Sequence, residues 1–93
     1  MKAVMNGKTI AESDDTIVIE NNHYFPPSSV SMEHLQPTAH RSTCPWKGEA
    51  HYFDVVVDDK TSTNAAWSYP EPKEAAKEIT GYVAFWKRVE IID

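Results

Sequence analysis

The dipeptide Asn6-Gly7 is the feature that most constrains the fold of this chain, because it separates two short runs that both suit β-strands. Asn-Gly supplies the two positive φ angles of a type I′ turn, whose twist matches that of paired antiparallel strands. Residues 2–5 and 8–13 are therefore predicted to form a β-hairpin. A fold built from such hairpins is antiparallel and places neighbouring strands side by side.

The next segments extend this pattern and then interrupt it. Residues 16–20 alternate between apolar and polar faces, which predicts a third strand in an antiparallel meander with the first two. Pro26 and Pro27 cannot occupy a central strand. We therefore expect a connector there, with a short helix over residues 28–34 that begins at a capping serine.

Three further strands and one helix complete the predicted order. Residues 38–44, 49–59 and 61–67 are extended in pattern and separated by turn residues. Residues 69–81 predict a helix of about two turns, with a proline in its first turn and Gly81 as its C-terminal cap. Residues 82–93 again alternate between apolar and charged side chains, which predicts extended structure. The predicted fold class is mostly β (α+β), a single domain of residues 1–93 with one short helix near the C-terminus.

Composition and charge exclude several classes of partner. The 93 residues carry nine Lys plus Arg against fourteen Asp plus Glu, and the net charge of -5 argues against nucleic acid as a partner. No segment approaches the roughly 20 apolar residues that cross a bilayer, and no signal peptide is evident. A single cysteine makes no internal disulfide. We expect a soluble, cytoplasmic domain.

The stretch TCPWKGEAHYFDVVV, residues 43–57, raises the possibility of a reaction centre. A four-residue loop over residues 45–48 would pair Cys44 with Glu49 and make Cys44 and His51 diagonal neighbours, about 7 to 8 Å apart. His51 is then the candidate base for a Cys44 nucleophile, and the Lys47 ammonium would favour the thiolate. The alternative is a structural thiol, because unpaired cysteines are among the most often buried residues.

The histidines and Cys44 do not predict a metal site. All four histidines and the cysteine are possible ligands, but neither Cys-x-x-Cys nor His-x-x-x-His spacing occurs. No glycine-rich phosphate loop is present either. The sequence therefore leaves the identity of any cofactor open.

Aromatic residues in predicted loops suggest a binding pocket instead. Several rings lie beside prolines rather than in the middle of strands, which is where a pocket wall is expected. The predicted ligand-binding residues are the rings of Tyr24, Trp46, Trp67 and Tyr69 together with the polar side chains of His40 and Arg41.

Three segments carry a resemblance to a known family. They are MNGKTIAESDDTIVIENNHYFPPSSV, STCPWKGEAHYFDV and NAAWSYPEPKEAAKEITGYVAFWKRVEI. Together they resemble the bacterial and fungal family known as domain of unknown function 427, almost from end to end. The most specific parts are the CPWKG turn and the YPEPKEAA block. The matching motif residues are Tyr24, His40, Cys44, Pro45, Trp46, Lys47, Gly48, Trp67, Tyr69, Pro70 and Phe85.

The resemblance implies a compact two-sheet domain similar to the β-tent folds. Many β-tent proteins bind zinc through paired Cys-x-x-Cys knuckles, which this chain lacks. The family is sometimes labelled as nucleotidyltransferase-type. This sequence has no Gly-Ser followed by paired aspartates that would hold two metal ions for nucleotidyl transfer. The label therefore brings no mechanism with it.

Three functions remain open from the sequence. The first is a small-molecule binding domain whose pocket lies near the CPWKG turn. The second is a Cys-dependent enzyme that uses Cys44, His51 and Lys47, with Arg41 as a further candidate to stabilise an anion. The third is a homodimer or partner-interaction module built on the aromatic loops. The binding domain is the favoured hypothesis.

Overall fold

Nine strands and three short 3₁₀ turns make up the fold in the computed structural model, which describes residues 1–93. The strands are β1 (Lys2–Met5), β2 (Lys8–Glu12), β3 (Ile17–Ile19), β4 (Asn22–Tyr24), β5 (Leu35–Cys44), β6 (Gly48–Val57), β7 (Lys60–Ser68), β8 (Val83–Phe85) and β9 (Glu90–Ile92). The 3₁₀ turns cover Pro27–Ser29, Met32–His34 and Glu74–Ile79. The prediction of a mostly β fold is confirmed.

The predicted first hairpin is present, but the predicted meander is wrong. β1 pairs antiparallel with β2, and both central residues of the connecting turn, Asn6 and Gly7, have positive φ. A meander would place β3 beside β2, but β2 lies at the edge of its sheet and the other neighbour of β1 is β9. β3 instead pairs with β4 across Glu20 and Asn21, which also have positive φ, as in a type I′ turn. The reversal at Glu20 therefore directs β3 into a separate hairpin.

The central sheet contains four antiparallel strands in the order β5-β6-β7-β8. The β3–β4 hairpin joins its β8 edge, because Phe25 and Val83 exchange backbone hydrogen bonds of 2.8 and 2.9 Å. Strand pairing gives three sheets where two were predicted, and this isolated bridge links the smallest of them, β3–β4, to the central sheet. The hairpin lies at the β8 side of the central sheet, where it can contribute side chains to the site.

The β5–β6 turn differs from the prediction by one residue. Cys44 pairs with Gly48, so the loop is the three residues 45–47. Gly48 has a φ of 114° and begins β6. Because side chains alternate along a strand, a shift of one residue moves every side chain of the partner strand to the other face. Arg41 therefore lies opposite His51, and Ser42 lies opposite Ala50.

The predicted helix near the C-terminus forms 3₁₀ turns rather than an α-helix. Ala76 has φ −121°, which breaks the run into two turns, and the hydrogen bonds join residues three apart, as from the Ala76 N–H to the Lys73 carbonyl at 2.9 Å. Ala76 and Ile79 are buried, whereas Ala75 is exposed. The spacing of three between the buried residues fits a 3₁₀ turn, in which positions i and i+3 align.

Two apolar clusters form the core. The larger cluster contains Phe25 and Phe85, whose rings meet edge to face with centroids 5.7 Å apart. The smaller cluster contains Tyr24, Trp67 and Tyr69. This second cluster lies behind the candidate site described below, so the site rests on packed aromatic side chains.

Candidate functional site

A cleft of about 260 Å³ is the candidate site, because it contains the buried Lys47 side chain among aromatic rings. Its walls come from the β3–β4 hairpin, the β5–β6 turn, the strands β6 and β7, and the segments that follow β7 and β8. The lining residues are Asn22, Lys47, Tyr52, Trp67, Tyr69 and Trp86. Four of the six are aromatic.

Lys47 is the charged side chain of the cleft and is only 5% exposed. Its ammonium donates a hydrogen bond to Oε1 of Glu20 and forms an ion pair with it. The same Nζ lies 5.4 Å from the ring centroid of Trp46 and 5.6 Å from that of Tyr69. A cation at such distances is attracted by the faces of both rings. Lys47 is thus held between a carboxylate and two aromatic rings.

A second segment of the chain fixes the turn that carries Lys47. The Lys73 N–H donates to the Lys47 carbonyl at 2.9 Å, and the Lys73 Nζ donates to the Pro45 carbonyl at 2.7 Å. A Cβ on Gly48 would lie 3.4 Å from the Lys73 nitrogen and 3.5 Å from the Glu71 oxygen. Glycine is therefore favoured here by its positive φ of 114°, and a Cβ would be in van der Waals contact with the backbone of residues 71–73.

The pKa values at the site follow from burial and from the ion pair. Burial by itself would lower the pKa of Lys47, but the hydrogen bond to Glu20 acts in the opposite direction and the net pKa is raised. The same hydrogen bond holds the pKa of Glu20 below its usual value. Burial raises the pKa of Tyr69 to about 12, although the Lys47 charge opposes this. Lys47 is therefore a charged donor at neutral pH and not a free amine nucleophile.

Glu20 occupies a backbone conformation that is unusual for its residue type. Its φ is 54°, a left-handed value that asparagine and glycine adopt far more readily than glutamate. Such a conformation persists only where the surroundings compensate its cost, and here the turn brings the carboxylate to Lys47. The side chain of Glu20 remains 56% exposed. The pair thus has one buried partner and one that faces solvent.

A row of aromatic rings crosses the central sheet and ends at the cleft. The ring centroids lie 4.5 Å apart between His40 and Tyr52, 6.3 Å between Tyr52 and Trp67, and 5.8 Å between Trp67 and Trp86. Trp86 is 46% exposed, yet its Nε1 donates to the Asn64 carbonyl at 2.6 Å. This bond orients an exposed indole that would otherwise rotate.

Two polar side chains of the cleft keep unused hydrogen-bonding capacity. Neither the Asn22 amide nor the Tyr69 hydroxyl forms a hydrogen bond within the chain, whereas the Tyr52 hydroxyl bonds to the Ser42 hydroxyl at 2.9 Å. An ammonium has three N–H donors, and Glu20 accepts only one from Lys47. The cleft therefore combines aromatic walls with donors and acceptors that a ligand can use.

The structure does not bring Cys44 and His51 together. In the observed register, Cys44 lies on the face of Ala50 and Tyr52, and it packs beside the smaller apolar cluster. His51 lies on the other face, where its Nε2 is 3.2 Å from Oε1 of Glu49. The proposed Cys44–His51 dyad is therefore wrong, and its cause is the one-residue shift of the β5–β6 register.

The predicted ligand-binding residues divide into three groups. Trp67 and Tyr69 line the cleft, and Trp46 flanks Lys47 at its edge. Tyr24 is fully buried behind the wall, where its hydroxyl accepts a hydrogen bond of 3.2 Å from Nε1 of Trp67. The remaining residues lie outside the cleft.

His40 and Arg41 are the predicted ligand-binding residues outside the cleft. His40 is exposed at the far end of the aromatic row. The Arg41 guanidinium is exposed and donates to the carbonyls of Thr38 and His40, at 2.9 and 2.8 Å. Arg41 lines a separate shallow hollow with His51. Neither residue lines the cleft that contains Lys47.

Sequence reasoning missed four residues of the site. The structure adds Glu20, Asn22, Tyr52 and Trp86. The consecutive asparagines after Glu20 were a signal for a tight reversal, which would have placed Glu20 and Asn22 in a hairpin. Tyr52 and Trp86 could be found only from the pairing of the strands. Their places in the aromatic row depend on the register of β6 and on the end of β8.

The Glu20–Lys47 pair gives an expected dependence of stability on pH. Because the folded chain depresses the pKa of Glu20, the stabilisation is present above the ordinary value of 4.5 and is lost as the pH falls through the folded pKa. Chemical denaturation at about pH 7 and about pH 3 should show a smaller acid-induced loss in Glu20→Gln than in the wild type.

Glu74→Gln is the matched control for this prediction. It removes a glutamate whose pair with Lys77 is exposed on both sides, and exposed pairs contribute little. We expect it to keep the wild-type response to acid. An equal acid-induced loss in wild type and Glu20→Gln would contradict the role given to the pair.

The fold and the cleft together define a class of protein: a small antiparallel β domain that presents an aromatic cleft containing one buried, paired lysine. The chain belongs to the family described as "Domain of unknown function (DUF427)", whose profile matches residues 1–93. The resemblance that the sequence motifs indicated is thereby confirmed. No curated protein matches the chain. None of its helical segments has the length and apolar character required to cross a membrane.

Proposed function

We propose that this domain binds a small molecule in the cleft between the β3–β4 hairpin and the CPWKG turn. The observation that carries the proposal is the buried Lys47 ammonium, which lines an aromatic cleft and uses one of its three donors within the chain. Burial of an ammonium is costly without full compensation. A ligand that accepts from Lys47 would complete its bonding.

The composition of the cleft also supports binding. Small-molecule sites are concave and mostly apolar, with a few polar groups that orient the ligand. Here Trp67 and Trp86 are apolar walls, and Asn22 supplies a free amide. The contact between the loop of Lys47 and the backbone of Lys73 makes this arrangement pre-formed, which reduces the entropic cost of binding.

A screen of small-molecule fragments by NMR tests the proposal. Hits are expected to shift the indole N–H signals of Trp67 and Trp86 and the side-chain amide signals of Asn22. In Trp86→Ala, the affinity of these hits should fall by about tenfold, because the variant removes an aromatic contact of about 1 kcal/mol and the apolar area buried with it.

Met32→Ala is the control, since it removes an apolar side chain that is 47% exposed, about as much as Trp86, but that does not line the cleft. We expect it to change the affinity by no more than about threefold, less than the loss of an aromatic wall. A saturating screen that moves none of the cleft signals would contradict the proposal. So would hits whose affinity depends on neither Trp86 nor Lys47.

A further inference from the structure

We infer that the cleft selects a neutral, planar heteroaromatic ligand of one or two rings that has a hydrogen-bond acceptor next to a donor on one edge, as in a cyclic amide. This inference names the ligand class for the site and rests on the proposed function. Four properties of the cleft lead to it: its size, its walls, its free polar groups and its charge balance.

The volume of the cleft accommodates a small ring system. Its volume of about 260 Å³ corresponds to about nine water molecules at about 30 Å³ each. One small bicyclic ring system has about this number of non-hydrogen atoms. A ligand with a long chain or several linked rings would extend out of the cleft into solvent.

The walls favour a flat ligand. Trp67 and Trp86 meet at an interplanar angle of 81°, and Tyr52 is tilted by 35° from Trp67. Trp86 is fixed by its bond to the Asn64 carbonyl, and the Lys87 ammonium lies 5.1 Å from its ring centroid. Rigid aromatic walls stack a flat ring with little loss of side-chain entropy, whereas a puckered ring leaves gaps against them.

The free polar groups define the edge of the ligand. Lys47 can only donate, so it requires an acceptor, and two of its donors are unused by Glu20. The Asn22 amide can both donate and accept, and it has no partner within the chain. An acceptor bound to Lys47 and a neighbouring donor bound to the Asn22 oxygen would satisfy both side chains together.

The charge balance favours a neutral ligand over either ion. A cation would be repelled by Lys47, which is buried in the cleft and carries its charge at neutral pH. An anion would be repelled by the Glu20 carboxylate, which already neutralises Lys47 and remains more than half exposed. The net charge of -5 adds to this second repulsion. A neutral acceptor meets neither penalty.

Four probes of known structure test the inference by NMR titration of the wild-type domain. The neutral cyclic amide is quinazolin-4-one, the anion is quinoline-2-carboxylate, the cation is N-methylquinolinium, and the non-planar probe is glucose. We expect quinazolin-4-one to bind in the cleft at least about tenfold more tightly than each of the other probes. A difference of this size corresponds to the contribution of one hydrogen bond to a charged group. Its binding should shift the signals of Asn22, Trp67 and Trp86.

Variants then separate the contributions of the polar groups. Lys47→Met keeps an apolar stem and should weaken quinazolin-4-one by about tenfold or more. Lys77→Met removes a lysine from an exposed ion pair and is the control, with no expected change. Glu20→Gln should leave quinazolin-4-one within about threefold of wild type and strengthen quinoline-2-carboxylate by about tenfold, because the repulsion is removed.

The outcomes distinguish the ligand class from the proposed function. Tighter binding of the carboxylate, the quinolinium or glucose in the cleft would overturn the inference and leave the proposed function standing. Quinazolin-4-one binding that is unchanged in Lys47→Met would also overturn it. Failure of all four probes and of the general fragment screen to move any cleft signal would overturn the inference and the proposed function together.

Discussion

Replacement of Tyr24 by alanine is expected to lower the free energy of unfolding by about 3 to 5 kcal/mol, as is typical for a buried aromatic side chain. Tyr24 is fully buried, and its ring contacts those of Trp67 and Tyr69, with centroids 6.2 and 6.5 Å away. A chain of this length has a total stability of roughly 5 to 14 kcal/mol. Denaturant titration should therefore show that the variant has lost a large share of the stability of the domain.

Tyr24→Phe separates the ring from its hydroxyl. It keeps the apolar packing but removes the acceptor for Nε1 of Trp67, which should cost about 1 to 2 kcal/mol. If Tyr24→Ala lowers the free energy of unfolding by less than the about 1 to 2 kcal/mol expected for Tyr24→Phe, then Tyr24 does not support the wall of the cleft. If the two variants cost the same, the hydroxyl and not the ring carries the stabilisation.

Replacement of Gly48 by leucine is expected to lower the free energy of unfolding by about 2 to 6 kcal/mol. A residue other than glycine at φ 114° costs about 1 to 3 kcal/mol of backbone strain. A Cβ at this position would already be in van der Waals contact with the backbone of residues 71–73, 3.4 to 3.5 Å away, and we expect the longer leucine side chain to add an overpacking cost of about 1 to 3 kcal/mol. The quantity to measure is the free energy of unfolding by chemical denaturation.

Gly7→Leu is the control for this prediction. Gly7 also has a positive φ, but no atom lies within 4 Å of the position where its Cβ would be. Replacement of Gly7 by leucine should therefore lower the free energy of unfolding only by the backbone strain of a positive φ, about 1 to 2 kcal/mol. Equal costs at the two positions would mean that the contact with residues 71–73 does not hold the turn. Gly48→Ala should lie between the two leucine variants.

Sequence patterns predicted those parts of the fold that depend on local physics. The turn at Asn6-Gly7 and the strands on either side of it follow from backbone preferences of a few residues. The long strands β5, β6 and β7 follow from alternation and from the turns that separate them. The partner of β1 did not follow, because its pairing with β9 joins opposite ends of the chain and leaves no local signal.

The predicted proximity of Cys44 and His51 was wrong because the β5–β6 turn was assigned one residue too many. A loop over residues 45–48 and a loop over residues 45–47 are both consistent with the sequence of the turn. The contact of Gly48 with residues 71–73 accompanies the shorter loop, and it is a tertiary contact. A shift of one residue in the pairing of two strands places each side chain on the opposite face of the sheet. His51 therefore lies on the face opposite Cys44 and not on the same face as predicted.

The composition of the cleft was predicted in part. Lys47, Trp67 and Tyr69 were identified because they are unusual residues for loops and strand ends. Glu20 was not, since an exposed glutamate in a turn carries no sign that it pairs with a buried lysine 27 residues away. Such a partner is found only when the two hairpins are placed together in space.

The position of β1 between β2 and β9 has a consequence for synthesis on the ribosome. The hairpin of β1 and β2 is made early, but one edge of β1 has no partner until residues 90–92 leave the exit tunnel. At about 5 to 20 residues per second, that delay is roughly 5 to 20 s. Throughout it, the nascent chain exposes an unpaired strand edge that neighbouring chains can bind. The last strand thus ends a period in which the chain is vulnerable to misassembly.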